Sequence, residues 1–167
     1  PRSQAIKILM NAFYGVMGSV GCRFFDPRLA SGITMRGHWI MQESRIFIES
    51  HGYTVIYGDT DSIFVWLKNR VSAEKAQQMG KELVQKINLW WKEKLQQEFQ
   101  LESCLELQFE RHYYRFLMPT LRGTELGSKK RYAGLCHENG GDKLIFKGME
   151  TVRSDWTELA KIFQTGL

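Results

Sequence analysis

The chain has 167 residues, enough for one ordinary domain, and its 43% hydrophobic and 13% aromatic content makes a buried core feasible and argues against intrinsic disorder. Lysine and arginine exceed aspartate and glutamate by five, with a sequence pI of about 9.2, an excess compatible with nucleic acid but too small to demand it. Cys22, Cys104 and Cys136 are odd in number and far apart, which indicates neither a disulfide framework nor zinc, and the lack of a signal peptide or membrane-length apolar run argues for a cytoplasmic protein.

The first predicted element is a helix over 3–16, broken into a loop by Gly15, Gly18 and Gly21. Lys7, Asn11 and Tyr14 are spaced by four and three, so they share one face, while Ile6, Leu9, Met10 and Phe13 fall largely elsewhere and can bury. A cation, an amide and an aromatic ring on one face could meet a triphosphate, a sugar and a base. The same set also suits a solvated stripe on an amphipathic helix. Asp26-Pro27 then reads as an N-cap and first helical position, opening a helix from about Pro27 to Ser50 that ends with Gly52 in the left-handed cap. His38, within it, is expected to pack or lie on the surface rather than to bind a ligand.

Two β-branched and aromatic runs follow, 53–58 and 62–67, with the composition of paired strands. Tyr57-Gly-Asp-Thr-Asp-Ser62 therefore puts Asp59 and Asp61 at the tip of a hairpin, held by a rigid ladder but facing water. Hard cations such as Mg²⁺ take such oxygens and keep positions for water and substrate phosphates. Aspartate is also a common turn residue, so the pair alone leaves both readings open.

Ser72 caps a long helix running to about Phe99, in which Ala76, Met79, Leu83, Ile87, Trp90, Trp91 and Leu95 recur at three and four. The tryptophan pair reads as core rather than as a base-stacking platform. Leu105-Glu-Leu-Gln-Phe-Glu110 alternates as a strand does, with Leu105, Leu107 and Phe109 inward. If that strand pairs beside the hairpin, Glu110 becomes a third carboxylate near the metals; otherwise it is a surface residue. Ser128-Lys129-Lys130-Arg131-Tyr132 is a compact basic cluster able to neutralise phosphates, though four such residues can equally be plain solvated surface. It opens a strand at about 130–137, joined to another at 143–148 through the turn signal Asn139-Gly-Gly-Asp142.

Lys7-x3-Asn11-x2-Tyr14-Gly15, then Tyr-Gly-Asp59-Thr-Asp61-Ser, then Lys129-Lys-Arg-Tyr132, in this order and at these separations, resemble family B DNA polymerases, with Met10–Gly15, Arg23–Ala30 and Phe116–Thr120 similar to a bacterial branch of that family. The likeness runs from Lys7 to about Trp156. It implies two-metal nucleotidyl transfer with Mg²⁺: Asp61 a direct ligand, Asp59 a less direct one. It implies that Lys7 and Asn11 hold the deoxynucleoside triphosphate, that Tyr14 packs at the nascent base pair and that Gly15 permits close approach. Lys129, Lys130, Arg131 and Tyr132 would grip the primer end of the duplex, and the segment containing Lys147 and Arg153 would lead into the thumb and touch DNA. Ser154 stands where many relatives carry a second arginine, which puts one backbone contact in doubt, and Ala12 stands where many carry serine.

The implied fold is α+β: an antiparallel palm sheet with two long helices packed on one face, plus a fingers-helix stub. Residues 1–21 would belong to the fingers, 22–150 to the palm and 151–167 to the thumb. The family's other catalytic aspartate, in an Asp-x-x-Ser-Leu-Tyr-Pro segment, is not in this chain. The residues are therefore expected to be a piece of a polymerase, inactive alone, whose partners are primer–template DNA, deoxynucleotides and, through parts outside this chain, a sliding clamp. Two other classes fit part of the pattern. A non-catalytic nucleic-acid-binding module would use the same basic surface, and another palm-type nucleotidyl transferase, such as a cyclase, would share the hairpin but has no duplex to grip.

Overall fold

Local punctuation sets most of the elements. The Asp26 carboxylate accepts from the Arg28 amide at 2.9 Å and Pro27 begins the helix, so the chain turns abruptly into α2 (Pro27–Ser50). Its other end passes through Gly52, whose φ of +83° is the left-handed turn expected there. The Ser72 hydroxyl accepts from the Lys75 amide at 3.3 Å and starts α3 (Ala73–Phe99). The computed structural model describes residues 2–120, 123, 130–138 and 140–166.

These residues form two compact units. The first comprises residues 1–51 and 55–64: α1 (Arg2–Gly18), α2 and most of a hairpin formed by β1 (Thr54–Asp59) and β2 (Ser62–Trp66). The second comprises residues 52–54 and 65–167: α3, then β3 (Tyr113–Leu117), β4 (Tyr132–Glu138) and β5 (Gly141–Lys147), a single 3-10 turn (Glu150–Val152) and α4 (Glu158–Thr165). The α+β class holds. Among the described residues the strands fall into two sheets, β1-β2 and β3-β4-β5, rather than the single sheet expected, and each unit has its own long helix.

The strand expected at 105–110 is not formed. Residues 105–110 keep the expected alternation, half-buried at Leu105, Leu107 and Phe109 and exposed between, yet they form no ladder. Their backbone is held by a side chain instead: Asn88 of α3 donates to the Leu107 carbonyl at 2.9 Å and accepts from its amide at 2.8 Å. Phe109 lies where a Cβ of Gly80 would be, so the α3 stripe packs on this segment. Trp91, Ile87 and Ala76 of α3 are buried, and Trp90 meets Trp91 edge-on at 4.8 Å, as core rather than a stacking platform.

In the three-stranded sheet β4 is central and antiparallel to both neighbours, with Tyr132 opposite Lys147 at one end and Glu138 opposite Gly141 at the other. A bulge at Tyr114 breaks the β3–β4 register. Tyr132, Ala133 and Cys136 of β4 and Met149 beyond β5 are buried. The sequence reading missed β3, although its Tyr-Tyr-Arg-Phe-Leu composition is that of a strand, and α4, which Thr157 caps by accepting from the Ala160 amide at 3.4 Å.

Candidate functional site

The hairpin tip is built from a two-residue connection, Thr60-Asp61, which makes the strands antiparallel. Thr60 has a φ of +29°, sparsely populated for a β-branched residue, so the turn is tightly specified. Its hydroxyl donates to Asp59 Oδ1 at 3.1 Å, and the Ser62 hydroxyl donates to Asp61 Oδ1 at 3.3 Å. Asp59 is half-buried and Asp61 exposed. Behind the tip, the rings of Tyr57 and Phe64 lie 5.4 Å apart, and Gly58 sits over Met41 of α2, which braces the ladder. The carboxylate oxygens are hard donors of the kind Mg²⁺ takes. Among the described residues no three His, Cys, Asp or Glu side chains gather to hold a metal. Two carboxylates still suit Mg²⁺, which is commonly held by one or two and completes its octahedron with water and phosphate oxygens.

In α1, Lys7, Asn11 and Tyr14 share a face as their spacing requires, and all are exposed. The Tyr14 hydroxyl lies 2.8 Å from Thr34 Oγ1 of α2. Thr34 spends its one hydroxyl proton on the Ala30 carbonyl at 3.0 Å, so Tyr14 is the donor. A groove of about 550 Å³ opens beside this contact, lined by Tyr14, Gly15, Gly18, Ala30, Thr34 and Met35, among others. Ile6, Leu9, Met10 and Phe13, the apolar residues that could bury, are 51%, 68%, 67% and 59% exposed. Only Val16 and Met17, at the end that meets α2, are partly covered, because that end alone has a packing partner.

In the second unit the basic cluster is only partly open to solvent. Lys129 lies outside the described residues. Lys130 is exposed and left-handed, with φ +62°, and its carbonyl faces Gly148 so closely that a Cβ there would overlap it. Gly148 is itself at φ +59°, so glycine is required on both counts. Arg131 is ion-paired with Glu150, whose second oxygen accepts from the Gln164 amide of α4 at 2.7 Å. Gln164 in turn accepts from the Thr151 amide at 2.8 Å. Hydrogen bonding by Gln164 first, then by its own amide and Arg131, keeps the Glu150 carboxyl below its ordinary range. Tyr132 is core, with its ring 5.2 Å from Phe116 and 6.3 Å from Tyr113. Burial, helped by Tyr132, pushes the Tyr113 phenol up to about 12. Lys147 is exposed opposite Tyr132, and Arg153 makes a two-pronged pair with Asp155 at 2.9 and 2.6 Å.

Glu110 lines a second cavity, of about 460 Å³, with Glu74, Arg111, His112, His137 and Glu138. Arg111 is paired with Glu138 at 3.2 Å, and burial holds the His112 imidazole below its usual pKa. Glu110 is exposed, on a segment that forms no ladder. Sequence reasoning passed over Gly148, Glu150 and Gln164. Gly148 and Glu150 stand in the Lys-Gly-Met-Glu run, whereas Gln164 lies in α4, where no local pattern marks it.

The family model for DNA polymerase family B matches residues 1–165. The chain belongs to DNA polymerase family B. It is similar to DNA polymerase II of Escherichia coli (strain K12), 61% identical over 167 residues, which are all of this chain and 21% of that protein. It is also similar to the DNA polymerases of Thermococcus gorgonarius, 34% identical over 161 residues (96% of this chain, 18% of that one), and Archaeoglobus fulgidus, 34% identical over 163 (98% and 17%). The chain thus spans about a fifth of the length of the curated relatives it matches. Within this family B chain, among the described residues, no helix is long and apolar enough to cross a membrane.

Proposed function

We propose that this chain is part of a DNA-directed DNA polymerase, which adds deoxynucleotides to a primer 3′ end under template control. Residues 1–21 serve as the end of the fingers, 22–150 as the palm and 151–167 as the start of the thumb. The carrying observation is the pair of aspartates at a two-residue tip, on a braced hairpin, in a chain that matches the family along almost its whole length. Asp61 and Asp59 hold divalent metal, read as two Mg²⁺ ions in the complete enzyme. When bound, the metal offsets charge on the triphosphate and on the attacking and leaving oxygens.

The remaining work falls to the chain's own groups. Lys7 and Asn11 bind and orient the triphosphate, and Tyr14, tethered to Thr34, presents a ring to the nascent base pair beside Gly15. Lys129, Lys130, Lys147 and Arg153 supply positive charge to the duplex backbone, with Arg131 and Tyr132 completing the cluster. Primer–template DNA and deoxynucleoside triphosphates are then the partners, with a sliding clamp met by other parts of the protein. The bacterial relative at 61% identity supports a place in the bacterial cytoplasm, in replication or repair of DNA.

Residues 1–167 alone are expected to be inactive, since one hairpin's carboxylates cannot fix two ions. The test is primer extension by the full-length protein. Asp61→Ala should cost roughly three orders of magnitude in turnover with DNA affinity largely kept, and Asp59→Ala should cost less. Small and equal losses from both would mean that the hairpin is only a turn.

A further inference from the structure

Arg131 sits in a run of basic residues, yet its surroundings differ from those of Lys130 beside it. Its side chain, 41% exposed, is paired through the guanidinium with Glu150, a side chain only 16% exposed. Its Nε is shut off from solvent with no hydrogen-bond partner among the described residues. Both Glu150 oxygens are engaged, one by Arg131 and the other by Gln164, and the Gln164 carbonyl is engaged by the Thr151 amide. The chain of contacts therefore runs from the start of β4, through the 3-10 turn, into α4. If Arg131 swung out to a phosphate, it would leave the Glu150 carboxylate with only the Gln164 hydrogen bond and without its countercharge. The backbone beside the pair is fixed as well, since Lys130 and Gly148 are both left-handed and in direct contact.

We infer that Arg131 is a positioning residue: through Glu150 and Gln164 it fastens the thumb entry to the strand that carries Lys130 and Tyr132, and it does not itself meet a phosphate. This rests on the polymerase reading and deepens it, dividing the cluster between Lys130, which contacts the duplex, and Arg131, which holds the element that closes over it. Loss of the fastening shortens the time the protein stays on DNA. It leaves the number of phosphate contacts unchanged.

The experiment uses the full-length protein with Arg131→Ala, Arg131→Lys, Glu150→Gln, the Arg131→Ala/Glu150→Gln double variant, and Lys130→Ala for comparison. Two quantities are read on primer–template DNA: product length per binding event with a competitor trap, and the dependence of binding on salt. Arg131→Ala and Glu150→Gln should shorten products by a similar factor, about tenfold, and the double variant should be no worse, as for two members of one contact. Arg131→Lys should recover part of the length. The salt slope should stay at the wild-type value for all four, whereas Lys130→Ala should lower it by about one. Glu150→Gln is nearly isosteric, and amide exchange over 150–165 should quicken in Arg131→Ala and in Glu150→Gln.

A salt slope lowered by about one in Arg131→Ala, with product length unchanged in Glu150→Gln, would overturn the inference and make Arg131 a phosphate contact. So would additive effects in the double variant, or unchanged exchange over 150–165. A wild-type protein that extends no primer would sink the polymerase reading itself, and the inference with it, a result distinct from any difference between variants.

Discussion

Asn88 does for Leu107 what a neighbouring strand would do. Its amide donates to the Leu107 carbonyl at 2.9 Å and its carbonyl accepts from the Leu107 amide at 2.8 Å, the two bonds that a sheet partner would exchange. The site is partly buried, so water cannot simply take over both bonds. Asn88→Ala should therefore destabilise the protein by about 2 kcal/mol, and the Leu107 amide should exchange faster with solvent. Asn88→Asp keeps the acceptor but loses the donor, and should fall between the two. A denaturant midpoint unmoved by Asn88→Ala would mean that the segment is held by Phe109 on Gly80 alone.

The same contact marks where sequence stops being legible. Alternation at 105–110 announces which side chains turn inward, because that depends only on an extended backbone. Whether a strand or a side-chain amide satisfies that backbone depends on Asn88, 19 residues earlier, and no local pattern records it. The ends of α2 and α3 and the hairpin could be read because Asp26-Pro27, Gly52, Ser72 and Asp59-Thr-Asp61 act on their immediate neighbours. In α1 the periodicity said which face could bury, not that a partner exists, and its apolar residues remain exposed. At the candidate site, the residue types and their order were visible, whereas the pairing of Arg131 with Glu150 arises from the β4–β5 register that sets Tyr132 against Lys147.

Lys7 and Tyr14 share a face but should fail differently. In the proposed role Lys7 offers only charge to the nucleotide, so Lys7→Ala in the full-length protein should raise the apparent deoxynucleotide KM and lower kcat/KM about 10- to 100-fold, with primer–template affinity near normal. Tyr14→Ala removes a packing surface and should reduce discrimination between correct and incorrect nucleotides. Thr34→Val keeps the ring but removes the acceptor of the Tyr14 hydroxyl, an exposed bond whose loss should give the smallest change of the three. Steady-state incorporation of matched and mismatched nucleotides separates the cases. A Lys7→Ala protein with weakened duplex binding and unchanged nucleotide KM would move Lys7 to the DNA surface.

Glu150 links the β4–α4 connection to pH. Its carboxyl is held below the ordinary value of 4.5, first by the Gln164 hydrogen bond and then by its own amide and Arg131. Between the folded value and 4.5 the unfolded chain therefore binds the proton more readily than the folded one, and stability rises with pH across that interval. The contribution is complete above 4.5 and disappears as pH falls through the lower, folded value. Other carboxylates, among them Glu138 and Asp155, are lowered too, so the whole protein weakens in acid and a single curve cannot isolate one of them. The difference between wild type and Glu150→Gln can. It should be constant above 4.5, with wild type the more stable, and shrink progressively below it. Denaturant unfolding of both proteins across that range measures it. A difference that stays constant through the acid limb would mean that the Glu150 charge contributes nothing to holding Arg131 and Gln164 together.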